Sequence, residues 1–338
     1  MAVKEAFNTD LQTGKSYPES KPVANLDLSL CEPENRPRMI AIANLLAKSP
    51  IGLETLQTAV DLGYRFNFAN DGRKANGTTN FFFKRITLNP HLSDDKLIGT
   101  LCHECRHAVQ NSHSSALKNE ERWDIRSNLL YNRAIEADAQ TFSICACKEL
   151  ALQGNDKPYA EFKEKYPEIE KEFDAAFRGA GNKITPEVMT KTFEGWYDQD
   201  CMKTRYEQGY ILQPMANDLK WMQRGAEGKP FDASVSAQQT IKEVTQTKDG
   251  NYFTDDPEIL NGGKYMAVTE YTMEQMKNYM EARKQLKKGD KSALLDGIPT
   301  CTNVVVPDMV RIEKPEPEKN NQAVQAAVMR RMRFGKGR

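Results

Sequence analysis

Apolar residues recur at the three- and four-residue spacing of helices along most of the chain. Leu53, Leu56, Val60 and Leu62 recur at helical spacing, and a compact apolar stretch from Met39 precedes them. The same periodicity predicts further helices over 94–111, 118–152, 157–179, 185–199, 201–225 and 272–287. Helices therefore dominate the predicted fold.

One stretch between the second and third predicted helices has the alternating pattern of β-strands. Tyr64, Phe66 and Phe68 are separated by polar residues, and a second apolar run covers 80–88. An Asp-Gly pair and an Asn-Gly pair, both turn-forming, lie between the two runs. We therefore predict a mainly α protein with a small β-hairpin or sheet (α+β).

Composition along the chain divides it into four parts. Residues 1–37 are polar and contain four prolines, which predicts an extended N-terminal arm. A compact domain is expected over 38–228, followed by a C-terminal extension over 229–312. Residues 313–338 begin with a Pro/Glu/Lys-rich linker and end in a short basic tail, and we expect them to be disordered.

The charge balance argues against several classes of partner. The chain has 47 basic and 47 acidic residues, a formal net charge of zero, so it has no overall field that attracts nucleic acid or acidic lipid. No apolar run reaches the roughly 18 residues of a membrane span, and the first residues lack the apolar core of a secretory signal. Seven irregularly spaced cysteines do not suggest a disulfide framework. We expect a cytoplasmic protein, although export by a specialised secretion system would leave no mark of this kind.

The segment LCHECRHAVQ, residues 101–110, carries the clearest chemical signal. A helix turns roughly 100° per residue, so His103 and His107 lie about 40° apart and can direct both imidazoles at one metal ion. Glu104 lies on the same side, within reach of a water at the metal. This H-E-x-x-H arrangement provides two ligands and a general base for hydrolysis.

The opposite face of this helix is apolar, as expected if one side packs in the core and the other borders a cleft. Cys102 and Cys105 form a C-x-x-C pair in the same segment, but Cys105 lies within the apolar face and Cys102 at its edge. Cys145 and Cys147, two apart on a predicted helix, point in nearly opposite directions. We therefore interpret these thiols as core residues rather than as a structural zinc site.

The third ligand is expected on the long helix over 118–152, where Glu136 and Asp138 are the available carboxylates. Residues two apart on a helix lie about 200° apart, so both cannot face the metal. The apolar stripe of that helix includes Asp138 rather than Glu136, which favours an inward Asp138. The helical pattern alone leaves both acids open.

An acidic residue 29 positions after His107, in an E-A-D context, makes the chain resemble the gluzincin metallopeptidases. It is distantly similar to metallopeptidases that cleave phage repressors. The fuller pattern L-x-H-E-x-R-H-A-x-Q, E-A-D-A and F-x-x-W-Y (Phe193 to Tyr197) resembles an uncharacterised bacterial metallopeptidase domain family.

This resemblance implies a compact zincin-like core, one Zn²⁺ ion and peptide-bond hydrolysis. By matching position, His103, His107 and Glu136 would bind the ion and Glu104 would be the catalytic base. Asp138 is the alternative third ligand, or a partner that orients a ligand histidine.

The sequence thus favours a zinc-dependent metallopeptidase acting on a protein or peptide, with no nucleic-acid or membrane partner. It specifies neither the substrate nor the oligomeric state. Two alternatives are a non-proteolytic zinc-binding regulator on the same scaffold, and a helical interaction protein in which the motif is incidental. Candidates for stabilising an oxyanion are Tyr197, Tyr206, Tyr210 and Arg106, and the predicted strand Phe82–Leu88 is a candidate edge for an extended substrate.

Overall fold

The computed structural model describes residues 7–9, 16–18, 23, 25–69, 75–303 and 309–314. Its α-helices are α1 (Arg36–Leu46), α2 (Pro50–Asp61), α3 (Asp94–His113), α4 (Ile125–Leu152), α5 (Lys157–Lys165), α6 (Pro167–Gly179), α7 (Pro186–Gly195), α8 (Asp200–Tyr206), α9 (Gln213–Gln223), α10 (Ala237–Val244), α11 (Gly263–Met266) and α12 (Glu270–Gln285). The strands are β1 (Phe7–Thr9), β2 (Ser16–Pro18), β3 (Arg65–Phe68), β4 (Gly77–Asn80), β5 (Arg85–Leu88), β6 (Gln246–Thr247), β7 (Gly250–Asn251), β8 (Val268–Thr269) and β9 (Thr300–Cys301).

The prediction of a mainly helical protein with a small sheet is confirmed. Two predicted helices are interrupted. The helix expected over 157–179 is α5 and α6, because Pro167 has no backbone N–H and starts a new helix. The helix expected over 201–225 contains a π-helical segment, Glu207–Leu212, between α8 and α9.

The predicted hairpin is wrong in its pairing. β3 and β5 are parallel, with Arg65 opposite Arg85, and β4 pairs antiparallel with β5, so the sheet order is β3-β5-β4. The Asn-Gly pair that suggested a turn leads directly into β4, which begins at Gly77. Alternation of apolar and polar residues identifies a strand, but it does not identify the strand with which it pairs. The sequence therefore did not reveal β4, which lies between β3 and β5 along the chain.

Helices α3 and α4 pack closely against each other in the centre of the molecule. Ser93 caps α3 by accepting a hydrogen bond from Lys96 N, and Asp124 caps α4 by accepting one from Ser127 N. Gly99 and Ser143 lie at the contact, where Ser143 Oγ donates to Gly99 O at 2.9 Å. A Cβ on Gly99 would lie 3.0 Å from Ser143 Oγ, so the small residue permits the close approach.

The elements after α9 pack on the same core. α10 contacts α4, and α12 contacts α9 and the π-helical segment. A buried ion pair joins Arg133 of α4 to Glu207 at 2.7 Å, and Arg133 also donates to Tyr265 O and Ala267 O. These bonds fix the start of the π-helical segment against α4.

The parts predicted as arm, extension and tail are described only in part. In the arm, Asp27 O accepts a hydrogen bond from Phe66 N, which joins this segment to the edge of β3. The tail predicted to be disordered lies outside the described residues beyond position 314. Of the helices in the described part of the chain, none combines the length and apolarity needed to cross a bilayer.

Candidate metal centre

His103 and His107 on α3 face Glu136 on α4 across the contact between the two helices. The His103 and His107 Nε2 atoms are 3.0 Å apart, and Glu136 oxygens lie 3.3 Å and 3.7 Å from them, respectively. One possible ligand atom from each residue lies within 4.8 Å of the others. All three residues are buried, so the chain brings together the two histidines and the first of the two candidate acids.

The orientation of His107 is set by Gln110, one helical turn further along α3. Gln110 Nε2 donates to Ile135 O and to Asp138 Oδ2, so its Oε1 must be the acceptor facing His107. His107 Nδ1 lies 2.8 Å from that oxygen and therefore carries the proton. Its Nε2 is left with a free lone pair directed at His103 and Glu136, as a metal ligand requires.

Asp138 does not join this group of ligand atoms. Its carboxylate accepts hydrogen bonds from Arg106 at 2.6 Å and 3.1 Å, from Gln110 at 2.5 Å, and from the Tyr252 hydroxyl at 2.8 Å. It is fully buried, as its place in the apolar stripe suggested. Its contact with Gln110 connects it to His107 through one intervening side chain, which corresponds to the orienting role considered for it.

Arg106 is the counter-ion of Asp138. Its guanidinium also donates to Val244 O and Gln246 O, both at 2.9 Å, and lies 3.7 Å from the centre of the Phe142 ring. Its Nε and Nη2 groups are therefore both engaged within the core. Arg106 is not free to act as an oxyanion donor, contrary to one of the sequence-based candidates.

Glu104 points from α3 toward β4. Thr79 Oγ1 lies 2.8 Å from both the Glu104 backbone oxygen and its Oε2. Burial raises the pKa of Glu104 to about 7, against the opposing effects of His107 and the Thr79 hydroxyl. A carboxyl group with a pKa near neutrality is suited to exchanging protons with a reacting group.

The electrostatics of Glu136 are different. Burial acts to raise its pKa, but His107, His103 and the Tyr206 hydroxyl outweigh that effect and lower the pKa to about 2. Glu136 is thus a carboxylate at neutral pH, and its buried Oε2 has no hydrogen-bond donor. A buried anion with an unsatisfied oxygen beside two imidazole nitrogens matches the ligand set of a divalent metal such as zinc.

These side chains open into a cavity of about 610 Å³. Tyr206 and Tyr210 lie on its wall, with their rings stacked at 5.7 Å, and Tyr210 donates to Glu136 Oε1 at 2.8 Å. π-helical turns are frequent at functional sites, and the one here contains Tyr210. Tyr197, another candidate oxyanion donor, is buried in the core and does not line the cavity.

The F-x-x-W-Y residues support this wall from behind. Phe193, Trp196 and Tyr197 are buried, and the Trp196 ring lies 5.7 Å from that of Tyr206. Their place in the fold is therefore packing beneath the tyrosines that face the cavity.

The substrate edge predicted at Phe82–Leu88 is not available. Only residues from Arg85 onward are in β5, which is the central strand and is paired on both sides. β4 is one of the two edge strands, and its residues Gly77, Thr78 and Thr79 line the cavity. A Cβ on Gly77 would lie 2.9 Å from both Glu104 Cγ and Thr100 Cγ2, so glycine allows β4 to lie this close to α3.

The cysteine interpretation agrees with the structure. Cys102, Cys105, Cys145 and Cys147 are buried free thiols. Among the described residues, His103, His107 and Glu136 are the one group of three or more potential metal ligands that lie close together.

Several site residues were not assigned from the sequence. Gln110 lies three residues after His107 on the same helical face, and this spacing is the signal that could have identified it. Tyr252 and Thr79 carry no such signal, because they reach Asp138 and Glu104 from distant parts of the chain.

Comparison with known families places this centre in context. Residues 23–218 match the family described as "Putative metallopeptidase family (DUF6782)". Because the match covers more than half of the chain, the protein belongs to that family. Neither the curated proteins nor the solved structures gave a significant match. Val244, Gln246 and Tyr252, which hold Arg106 and Asp138, lie beyond the matched segment.

Replacing Gln110 by Ala is expected to weaken metal binding by about 10- to 100-fold, because His107 Nδ1 loses the acceptor that fixes its tautomer. Competition with a chromogenic chelator measures the change. Gln223→Ala, at an exposed position of α9, is the matched control. Equal affinities of the two variants would contradict the role given to Gln110.

Replacing Gly77 by Ala is expected to reduce turnover by roughly tenfold with metal binding retained, since the added methyl group displaces β4 or Glu104. Initial rates and metal content are measured on the same preparation. The control is Gly179→Ala at the end of α6, where a Cβ meets no neighbouring atom within 4 Å. An unchanged rate in Gly77→Ala would show that the close approach of β4 has no part in catalysis.

Proposed function

We propose that this protein is a zinc-dependent peptidase, with one ion held by His103, His107 and Glu136. The observation that carries the proposal is the convergence of these three side chains beside Glu104 on the wall of a large cavity. Two histidines and one carboxylate, with a fourth position for water, form a common ligand set of catalytic zinc. The family description supports metallopeptidase chemistry, and the composition supports a cytoplasmic setting.

The residues around the proposed ion have separable roles. When bound, zinc supplies Lewis acidity that polarises a peptide carbonyl. Glu104 accepts a proton from the attacking water and delivers it to the leaving amine. The Tyr210 hydroxyl, which donates to Glu136 Oε1 in the structure, would turn from that oxygen to donate a hydrogen bond to the oxygen on which negative charge develops. Gln110 and Asp138 hold His107 in the tautomer that leaves Nε2 unprotonated.

The proposed substrate is an extended peptide lying along β4. Among the described residues this strand is paired only with β5, so its other edge has backbone groups that can bond to a peptide, as in β-strand addition. Because Gly77, Thr78 and Thr79 line the cavity that also contains Glu104, a peptide on this edge would pass the proposed ion.

Metal removal and restoration test the proposal. We expect the protein as purified to contain about one zinc per chain and to cleave neutral peptides, to lose cleavage after chelation, and to regain it with stoichiometric Zn²⁺. Elemental analysis measures the zinc content, and mass spectrometry of the products measures peptide cleavage. Zinc binding without any cleavage would instead support the non-proteolytic regulatory alternative, and absence of zinc binding would contradict both.

A further inference from the structure

A group of three basic side chains lines the same cavity: Lys96 of α3, Lys165 at the end of α5 and Arg205 of α8. Within the described residues, no carboxylate oxygen forms an ion pair with any of them at 4.0 Å or less. Lys165 contacts an aromatic ring: its Nζ lies 4.7 Å from the centre of the Tyr166 ring. We call these three residues the cationic cluster.

Other cations nearby are paired. Lys203, two residues before Arg205 on α8, is buried and lies 2.8 Å from Asp200. Arg133 is paired with Glu207 at 2.7 Å. The cationic cluster therefore differs from these neighbours in having no counter-ion of its own among the residues that the structure describes.

The cluster members repel one another. Burial, followed by the charges of Lys96 and Arg205, lowers the pKa of Lys165 to about 8. Lys96 and Lys165 are half-buried and Arg205 is exposed, so solvent screens the repulsion between them only in part. An anion bound among the three side chains would neutralise it. The other acids on the cavity wall, Glu120 and Glu161, do not form ion pairs with the cluster. Glu161 instead accepts a weak hydrogen bond from Ser93 at 3.4 Å.

The cluster shares its cavity with the candidate metal centre. Lys96 lies seven residues (103 − 96) before His103 on α3, which is two helical turns or roughly 10 Å along the axis. Lys165 and Arg205 line the same cavity as Glu104 and Glu136. A peptide of several residues is therefore long enough to reach both places.

We propose that Lys96, Lys165 and Arg205 form a subsite that binds a carboxylate of the peptide substrate while a nearby peptide bond lies at the metal centre. This inference rests on the proposed function, since it assigns a substrate class to the same cavity. The carboxylate has two possible sources, an Asp or Glu side chain and the C-terminal carboxylate. Both present the same anion to a cationic wall.

Binding by matched peptide pools tests the subsite separately from catalysis. Four pools of dansyl-labelled decapeptides, whose label carries no charge at neutral pH, are built from neutral residues, with either Glu or Gln at one fixed position and either a free or an amidated C-terminus. Anisotropy measures their binding to full-length, zinc-loaded protein carrying Glu104→Gln, which does not consume them. We expect the two pools with Glu to bind about tenfold more tightly than the two with Gln, or the two with a free C-terminus to bind about tenfold more tightly than the two amidated pools. Which of the two preferences is seen identifies the source of the carboxylate.

Variants of the cluster show where the preference arises. Lys165→Gln and Arg205→Gln are each expected to reduce the preference for carboxylate-containing peptides by about fivefold. We expect 0.5 M salt to weaken that preference further, because salt screens charge interactions. Lys157→Gln, exposed at the start of α5, is the matched control and should leave it unchanged. Circular dichroism confirms folding, and Lys165→Met provides a second neutral variant. Equal binding of all four pools, or a preference that survives Lys165→Gln combined with Arg205→Gln, overturns the subsite.

Cleavage of the same pools by the wild-type protein separates the two proposals. Cleavage without preference for a carboxylate overturns the subsite and leaves the peptidase proposal intact. Selective binding without cleavage supports the subsite and contradicts the peptidase proposal.

Discussion

Glu104→Gln is expected to lower the rate of peptide hydrolysis by about 10²- to 10⁴-fold, the usual contribution of a general base. The amide has nearly the shape of the carboxylate, and its oxygen can still accept a hydrogen bond from Thr79, so the local structure should be retained. It cannot accept a proton from water at neutral pH. Rates are measured on a neutral peptide pool, with zinc content determined for the same sample.

The matched control is Glu121→Gln, an exposed residue that does not line the cavity. We expect it to match the wild type in rate and zinc content. A Glu104→Gln protein that retains full activity with full zinc would contradict the role given to Glu104. Loss of zinc together with activity would show that Glu104 holds the ion, which is a different assignment from the one proposed.

Asp138→Ala is expected to destabilise the protein by about 3–5 kcal/mol, the typical cost of leaving one partner of a buried ion pair unpaired. The Arg106 guanidinium is nearly inaccessible to water and would lose both of its bonds to the carboxylate. Gln110 and Tyr252 would each lose a buried acceptor as well. Urea unfolding of the metal-free protein gives the change without a contribution from bound zinc.

Asp232→Ala is the control for this experiment. Asp232 accepts two hydrogen bonds from Arg122 in a similar paired geometry, but both side chains are about half exposed and solvent screens their attraction. The urea midpoint of the Asp232→Ala protein should therefore shift far less from the wild-type value than that of the Asp138→Ala protein. If both variants lost the same stability, burial of the Arg106–Asp138 pair would not have the energetic importance given to it here.

The helical periodicity of the sequence was sufficient to predict most of the candidate site. It placed His103, Glu104 and His107 on one face of α3 and limited the third ligand to two acids on opposite sides of α4. Which acid faces α3 depends on how the two helices pack against each other, and no pattern within one helix contains that information. Both acids are buried, so the apolar stripe that favoured Asp138 identified a buried position without identifying its partner.

Long-range contacts account for what the sequence did not reveal. β3 pairs parallel with β5, and β4 occupies the other side of β5. Strand periodicity is the same in this arrangement as in a simple hairpin, so it could not distinguish the two. Tyr252 reaches Asp138 from 114 positions away along the chain. The sequence around each of these two residues contains no pattern that predicts their contact.

Anomalous diffraction from crystals grown with stoichiometric Zn²⁺, recorded above and below the zinc absorption edge, tests the central claim most directly. We predict one strong anomalous peak per chain, in contact with the Nε2 atoms of His103 and His107 and with the Glu136 carboxylate. A peak bound by Asp138, a peak among the thiols of Cys102, Cys105, Cys145 and Cys147, or no peak between α3 and α4 would contradict the account.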